Sequence, residues 1–238
     1  MDPAQARLLA TMPLHAITAV HGEPGLRQRF ALEIAGFPPP DRLKLERALA
    51  EAARLHAGDR REREPYVNHV LRVATRILCY YRVRDADVIC AALLHDAVED
   101  HATDLAPGGG RDEALAVMAA RFGARVATLV EAVTNPEFQP GRDPREQYRE
   151  HVTASLRDSP WARVIKISDF TDNGAGLIHS TGPRLGRLAA KYAPLVPILT
   201  ALVSLPDTPL SAEVKARILR QLETAGTRFA AILSCPGE

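Results

Sequence analysis

The stretch Ala91-Ala92-Leu93-Leu94-His95-Asp96-Ala97-Val98-Glu99-Asp100 decides how the rest of the chain is read. It begins as an apolar run and ends in four ionisable side chains. Upstream, Asp85 supplies an N-cap and Val88, Ile89, Ala92 and Leu93 follow at helical spacing, so residues 85–100 are expected to form one helix. On such a helix His95 and Glu99 are four apart, as are Asp96 and Asp100, while Asp96 and Glu99 are three apart. These are neighbours on adjoining stripes of one face. Ionisable groups packed beside an apolar run are costly unless a cation or solvent compensates them. Neutral imidazole and carboxylate are natural ligands of a divalent cation. The competing reading is an exposed helix end whose four side chains are simply solvated.

Two further positions join this stretch. His69 follows Pro65-Tyr66-Val67-Asn68 on a segment otherwise apolar at Val70, Val73 and Ile77. Taken alone it reads as a satisfied core histidine. Asp169 ends the apolar run Ile165-Lys166-Ile167-Ser168, which periodicity leaves open as helix or buried strand. On a helix, Lys166, Asp169 and Asn173 would share one face.

Composition sets the frame. The 238 residues are enough for one sizeable core, and 46% apolar with 25% charged residues is ordinary for a globular protein. The net charge of +1 offers no basic field, so neither a nucleic acid nor an anionic membrane is expected as partner. Of the three cysteines, Cys79, Cys90 and Cys235, the first two form no C-x-x-C pair and read as small core hydrophobes in a reducing compartment. With no leader pattern and no long apolar span, a cytoplasmic protein is expected.

Along the chain, Pro13, Gly22, Pro24, Gly25 and Pro38-Pro39-Pro40 punctuate residues 1–40, which read as an extension of short helices. Residues 41–238 read as the main domain. Asp41 is expected to cap a helix through Leu55, and Pro65 to open the helix that carries His69. Residues 102–110, with Pro107 and three glycines, are expected to be a loop. Helical stretches follow around 113–122 and 124–133. Asp143-Pro144-Arg145-Glu146 is a helix start, and a last helix follows the break at Pro206 to Pro209. No alternating strand pattern or internal repeat is evident, so the fold class is all-α. Residues 1–40 suggest no chemistry, and assembly as a homo-oligomer is left open.

The ordered set His69, His95-Asp96, Asp169 resembles the signature of HD-type phosphohydrolases. The finer resemblance is to the alarmone hydrolases, both the hydrolase half of RelA/SpoT proteins and the single-domain small alarmone hydrolases. It is carried by Arg60-Arg61 through Glu64-Pro65-Tyr66 and His69, by residues 91–100, and by Phe122-Gly123 and Val133-Thr134. Lys166-Ile167-Ser168-Asp169 with Asn173, and Tyr192-Ala193-Pro194-Leu195, complete it. The resemblance implies an all-helical fold and one Mn2+ held by His69, His95, Asp96 and Asp169. Sequence alone does not choose Mn2+ over Zn2+ or Fe2+. It implies a nucleotide substrate with a 3′-diphosphate, chiefly ppGpp, from which water releases pyrophosphate. Glu99 and Asp100 match the family's catalytic acidic pair. Arg60 matches an arginine near the base, and Arg61 stands where lysine is common. Asn173 matches a sugar-contacting asparagine, and Lys191 and Tyr192 fall where the family closes the nucleotide site. The length suggests a stand-alone hydrolase.

The chain also departs from the family. Asp169-Phe170-Thr171-Asp172-Asn173 replaces the usual Asp-Arg-Leu-His-Asn, Val196-Pro197-Ile198-Leu199 replaces Ala-x-Arg-Leu-Gly, and Arg63 stands where glycine is common. An adenosine alarmone such as ppApp therefore remains open as substrate. So do a generic HD nucleotidase, including an NADPH 2′-phosphatase, and a non-catalytic nucleotide-binding module.

Overall fold

The computed structural model describes residues 2–61, 64–176 and 183–234, and their side chains except at 175, 176, 183 and 184. Arg63 and Cys235 lie outside the described residues. Every regular element among those described is a helix, which bears out the all-α expectation. The chain divides into two compact units, residues 1–134 and 135–238.

The first unit contains α1 (Pro3–Thr11), α2 (Leu14–Ile34), α3 (Pro39–Leu55), α4 (Val67–Cys79), α5 (Ala86–Leu93), α6 (Ala97–Leu105), α7 (Arg111–Phe122) and α8 (Ala124–Val133). α2 is longer than its Pro and Gly content suggests, because it is two pieces joined at a kink. Gly22 takes φ 60°, ψ −156° there, a conformation glycine adopts without strain, and Pro24 then starts the second piece. Asp41 does not cap α3. Pro38 occupies the N-cap with Pro39 in the first helical position, which suits its fixed φ, and Asp41 falls in the first turn.

α4 is the axis of this unit: every residue from Val67 to Leu78 is buried, and the helix packs on α2, α3 and α5. A helix apolar all round would need no partners beyond packing, but α4 carries Asn68, His69, Arg72, Thr75 and Arg76 into the interior. Arg72 is met by Glu64, which accepts from Nη1 at 2.8 Å and Nη2 at 2.6 Å. Asn68 Nδ2 donates to the same carboxylate at 3.0 Å, and Arg72 Nη1 reaches Thr18 Oγ1 on α2 at 3.3 Å. This fork ties the segment before α4 to the helix. There, Arg60 and Pro65 form an isolated β-bridge, so Pro65 lies outside the helix it was expected to open.

α5 is capped as expected: Asp85 accepts from the backbone N–H of Asp87 at 3.1 Å and Val88 at 3.3 Å. It then ends at Leu93, short of the expected length. The loop expected at 102–110 starts later, since Ala102 to Leu105 complete α6 and only the Pro and Gly residues leave the helix. Cys90 is buried and Cys79 half-buried, both as free thiols. Burial pushes Cys79 up to about 11 and Cys90 up to about 12, so both stay protonated.

The second unit contains α9 (Pro144–Arg157), α10 (Pro160–Gly176), α11 (Pro183–Tyr192), α12 (Leu195–Ser204) and α13 (Ala212–Ser234). Asp143 caps α9 by accepting from Arg145 N–H at 2.8 Å. The ambiguous run 161–172 is helix. Its fully buried Arg163 donates from Nε to the Leu156 carbonyl at 2.6 Å and pairs with Asp207 at 2.5 Å, closing α10 against the turn before α13. No helix among the described residues is long and apolar enough to cross a membrane.

Arg72→Ala removes the buried cation of the fork and leaves the Glu64 carboxylate without its guanidinium. We expect a loss of about 3 kcal/mol, read as a lower urea midpoint with an unchanged m-value. A change below about 0.5 kcal/mol would show that the fork does not hold α4.

Candidate functional site

His95 and Asp96 do not lie within a continuous helix. The Leu94 N–H donates to the carbonyls of both Cys90 and Ala91 at 3.2 Å, tightening the end of α5, and Asp96 becomes the N-cap residue of α6. The expected single stripe is therefore bent, and the bend sets the chemistry. His95 Nδ1 lies 2.9 Å from the Ala92 carbonyl. A carbonyl can only accept, so Nδ1 carries a proton and Nε2 is the nitrogen left to face Asp96. Nε2 then lies 3.0 Å from Asp96 Oδ2.

α4 brings His69 to the same oxygen. Its Nε2 is 3.7 Å from Asp96 Oδ2, and the His69 and His95 rings meet edge-on with centroids 5.2 Å apart. Both histidines are buried, at 0% and 2% exposure, and offer ligand atoms within 4.8 Å of each other. Tyr66 donates its hydroxyl to Asp96 Oδ2 at 2.6 Å and packs edge-on against His69. The Arg61 guanidinium lies 5.3 Å from the Tyr66 ring centroid. Arg60 is exposed and, among the described residues, is joined to the group by its backbone bridge to Pro65.

Glu99 and Asp100 follow in the first turn of α6, both exposed, with the Asp100 N–H donating to the Asp96 carbonyl at 2.9 Å. Desolvation of the Asp100 carboxyl, and then the negative charges of Asp96 and Glu99, push it up to about 6. A carboxyl poised there can take or give a proton near neutral pH.

In the second unit, α10 brings Lys166, Asp169 and Asn173 to one face as their spacing predicts. Asp169 is buried; Asn173 Nδ2 donates to Oδ1 at 2.7 Å and Lys166 Nζ lies 3.2 Å from Oδ2. The helix continues to Gly176, so Asn173 is not its cap. Lys166 and Lys191 both lie against the Tyr148 ring, at 5.7 and 5.8 Å, and Lys191 is also 5.4 Å from the Tyr192 ring. Tyr192 is buried edge-on to Phe170.

Sequence reasoning did not single out Tyr148, although an aromatic inside the polar segment Glu146-Gln147-Tyr148-Arg149-Glu150 was the available signal. Tyr66, in the stretch before His69, has a role visible only in the fold, its hydroxyl on Asp96. Phe170 explains one departure from the family pattern. It is core, packing on Tyr192 and Phe229, and so does not project a polar group toward a ligand.

A family model described as an HD domain matches residues 48–154, which include His69, His95, Asp96, Glu99 and Asp100. The human guanosine-3′,5′-bis(diphosphate) 3′-pyrophosphohydrolase MESH1 is 38% identical over 121 residues, 50% of this chain and 60% of its own length. The chain therefore spans less than two thirds of that relative. The MESH1 enzyme of Drosophila melanogaster is 32% identical over 133 residues, covering 55% of this chain and 67% of that one. A solved structure of a metazoan orthologue of SpoT that hydrolyses ppGpp superposes with a TM-score of 0.60 at 26% identity, over 81% of this chain and 99% of its own. With the paired histidines and Asp96 in place, the chain belongs to the HD superfamily, within its family of alarmone hydrolases of the MESH1 and SpoT type.

Proposed function

We propose that this protein is a metal-dependent pyrophosphohydrolase that removes the 3′-diphosphate from (p)ppGpp or a related alarmone such as (p)ppApp. The observation that most supports it is the convergence of two buried imidazole nitrogens on the Asp96 carboxylate, one helical turn before an acidic pair. In this reading residues 41–238 form the hydrolase domain and residues 1–40 its extension.

The donor set fits a divalent cation. His95 is held in the ligating tautomer by the Ala92 carbonyl, and the Tyr66 hydroxyl orients the carboxylate, the kind of outer support that metal ligands need. We assign His69, His95, Asp96 and, by family resemblance, Asp169 as ligands of one Mn2+. Held there, the cation would supply Lewis acidity and make water nucleophilic near neutral pH. The chain's own residues do the rest. Glu99 and Asp100 orient the water and move protons: one accepts the proton as the oxygen bonds to the 3′-phosphorus. The bond from that phosphorus to the 3′ oxygen breaks, pyrophosphate leaves, and the freed oxygen takes up a proton.

Arg60, Arg61, Lys166 and Lys191 are the cations assigned to phosphate and base, and Asn173 to the sugar. A guanidinium already lying over the Tyr66 ring suits stacking on a base plane. Tyr192 is assigned to the wall of the nucleotide site.

Metal-loaded protein is expected to release pyrophosphate from ppGpp or ppApp, and Asp96→Ala to lower turnover at least about 1000-fold by removing a ligand to the cation. Turnover of neither nucleotide, or release of inorganic phosphate alone from 5′-mononucleotides, would overturn the reading. Asp100→Asn should lower kcat by about 100-fold or more with little change in KM, as expected for a group acting in proton transfer. Tyr66→Phe should weaken divalent-ion binding about tenfold by calorimetry, as loss of an outer partner does. An equal or tighter affinity would show that the phenol competes with the ion.

A further inference from the structure

The first unit holds a second group of ligand-type side chains, His56, Asp59 and His101, whose ligand atoms lie within 4.8 Å of one another. None belongs to the ligand set assigned above. His56 ends α3 and enters a short 3-10 turn, His56–Gly58. The Asp59 N–H donates to the His56 carbonyl at 3.1 Å, and the Asp59 carbonyl accepts from Tyr66 N–H at 3.1 Å, so the carboxylate projects from a fixed turn. His101 arrives from the other side of the sequence gap. α6 departs from helical geometry at this residue (φ −135°, ψ 32°), and the imidazole reaches Asp59.

The geometry around Asp59 is that of a site rather than a single pair. His56 Nδ1 and His101 Nε2 each lie 2.7 Å from the same oxygen, Asp59 Oδ2. The two rings are edge-on, 4.7 Å apart. His101 Nδ1 lies 2.9 Å from Asp104 Oδ2. A carboxylate behind the far nitrogen of an imidazole is how ligating histidines are commonly held, with the other nitrogen directed at the ion. His56 is 2% exposed; Asp59, a carboxylate that only accepts, draws its proton to Nδ1, and its Nε2 has no hydrogen-bond partner among the described residues. Asp59 remains 36% exposed, which gives an entry path.

We propose that His56 Nδ1, Asp59 Oδ2 and His101 Nε2 form a second divalent-metal site, suited to a borderline ion such as Zn2+ and leaving a fourth position to solvent. Two imidazoles and one carboxylate with an open position is a known zinc donor set. Ligand bonds of about 2.0–2.1 Å in a tetrahedral site put neighbouring ligand atoms about 3.3 Å apart. Each imidazole nitrogen must therefore recede from Asp59 by only about 0.6 Å, a side-chain adjustment with no change of fold. Binding displaces the proton on His101 Nε2 and selects the His56 tautomer with hydrogen on Nε2.

The cluster connects to the first site through one ring. His56 stacks on Tyr66 with centroids 4.6 Å apart and 22° between planes, and Tyr66 holds Asp96. His101 also directly follows the acidic pair. On the proposed function, the second ion would fix the turn that carries Glu99 and Asp100; the site itself stands without that reading.

The test is metal stoichiometry. Chelator-stripped full-length protein is equilibrated with Zn2+, dialysed and measured for bound metal, with Co2+ absorption as a second readout. We expect about two ions per chain in the wild type and about one in each of Asp96→Ala and His101→Ala, with the tetrahedral Co2+ band lost only in the latter. Asp59→Asn, at a partly exposed side chain, repeats the His101→Ala readout without disturbing the interior. About one ion in the wild type, unaffected by His101→Ala and Asp59→Asn but lost in Asp96→Ala, would overturn this site and leave the proposed function intact. About one ion lost in His101→Ala but kept in Asp96→Ala would support this site and sink the ligand assignment above.

Discussion

The hydrogen bond between His95 Nδ1 and the Ala92 carbonyl is the constraint on which the rest of the site depends. It exists because α5 stops at Leu93 and the next three residues turn before α6 begins. A continuous helix would spend the Ala92 carbonyl on the backbone four residues later and place His95 on a ridge. The break frees that carbonyl, fixes the imidazole tautomer and turns Nε2 toward Asp96. The backbone thus fixes the proton on Nδ1 and leaves Nε2 as the nitrogen that faces the Asp96 carboxylate.

The neighbouring helix supplies the second half of the arrangement and its support. α4 is buried on all sides, so a charged group such as Arg72 on it needs a partner. Glu64 meets Arg72 and Asn68, which ties the segment carrying Arg61 and Tyr66 to the helix that carries His69. Tyr66 then reaches Asp96 and Arg61 lies over its ring. A structural ion pair and the candidate catalytic group are therefore consecutive links of one chain of contacts, and disturbing α4 should be felt at Asp96 as well as in stability.

Much of this was legible in the sequence where local rules suffice. Asp85 and Asp143 cap the helices they were expected to cap, because an Asx side chain before an apolar period has little else to do. Lys166, Asp169 and Asn173 share a face because helical spacing dictates it. The break at residues 94–96 was not legible: Leu-Leu-His-Asp contains no Gly or Pro, so no local stop signal marks the end of α5. The start of α3 was misplaced because three consecutive prolines compete for one N-terminus, and Pro38, held extended (ψ 148°) by the proline that follows it, takes the cap. The His56, Asp59 and His101 group was hidden by separation, since His101 is 42 residues from Asp59 and no local spacing joins them. Phe170 reads as a lost recognition residue in sequence and as core in the structure, which explains the departure by packing.

The central claim is that the bend at His95-Asp96 builds a cation site. Its most direct measurement is anomalous diffraction from crystals of the full chain soaked in Mn2+. The account predicts a peak bonded to His69 Nε2, His95 Nε2 and the Asp96 carboxylate, with His95 Nδ1 still on the Ala92 carbonyl. A fully loaded crystal with no anomalous peak beside Asp96, or with His95 turned to ligate through Nδ1, would contradict it.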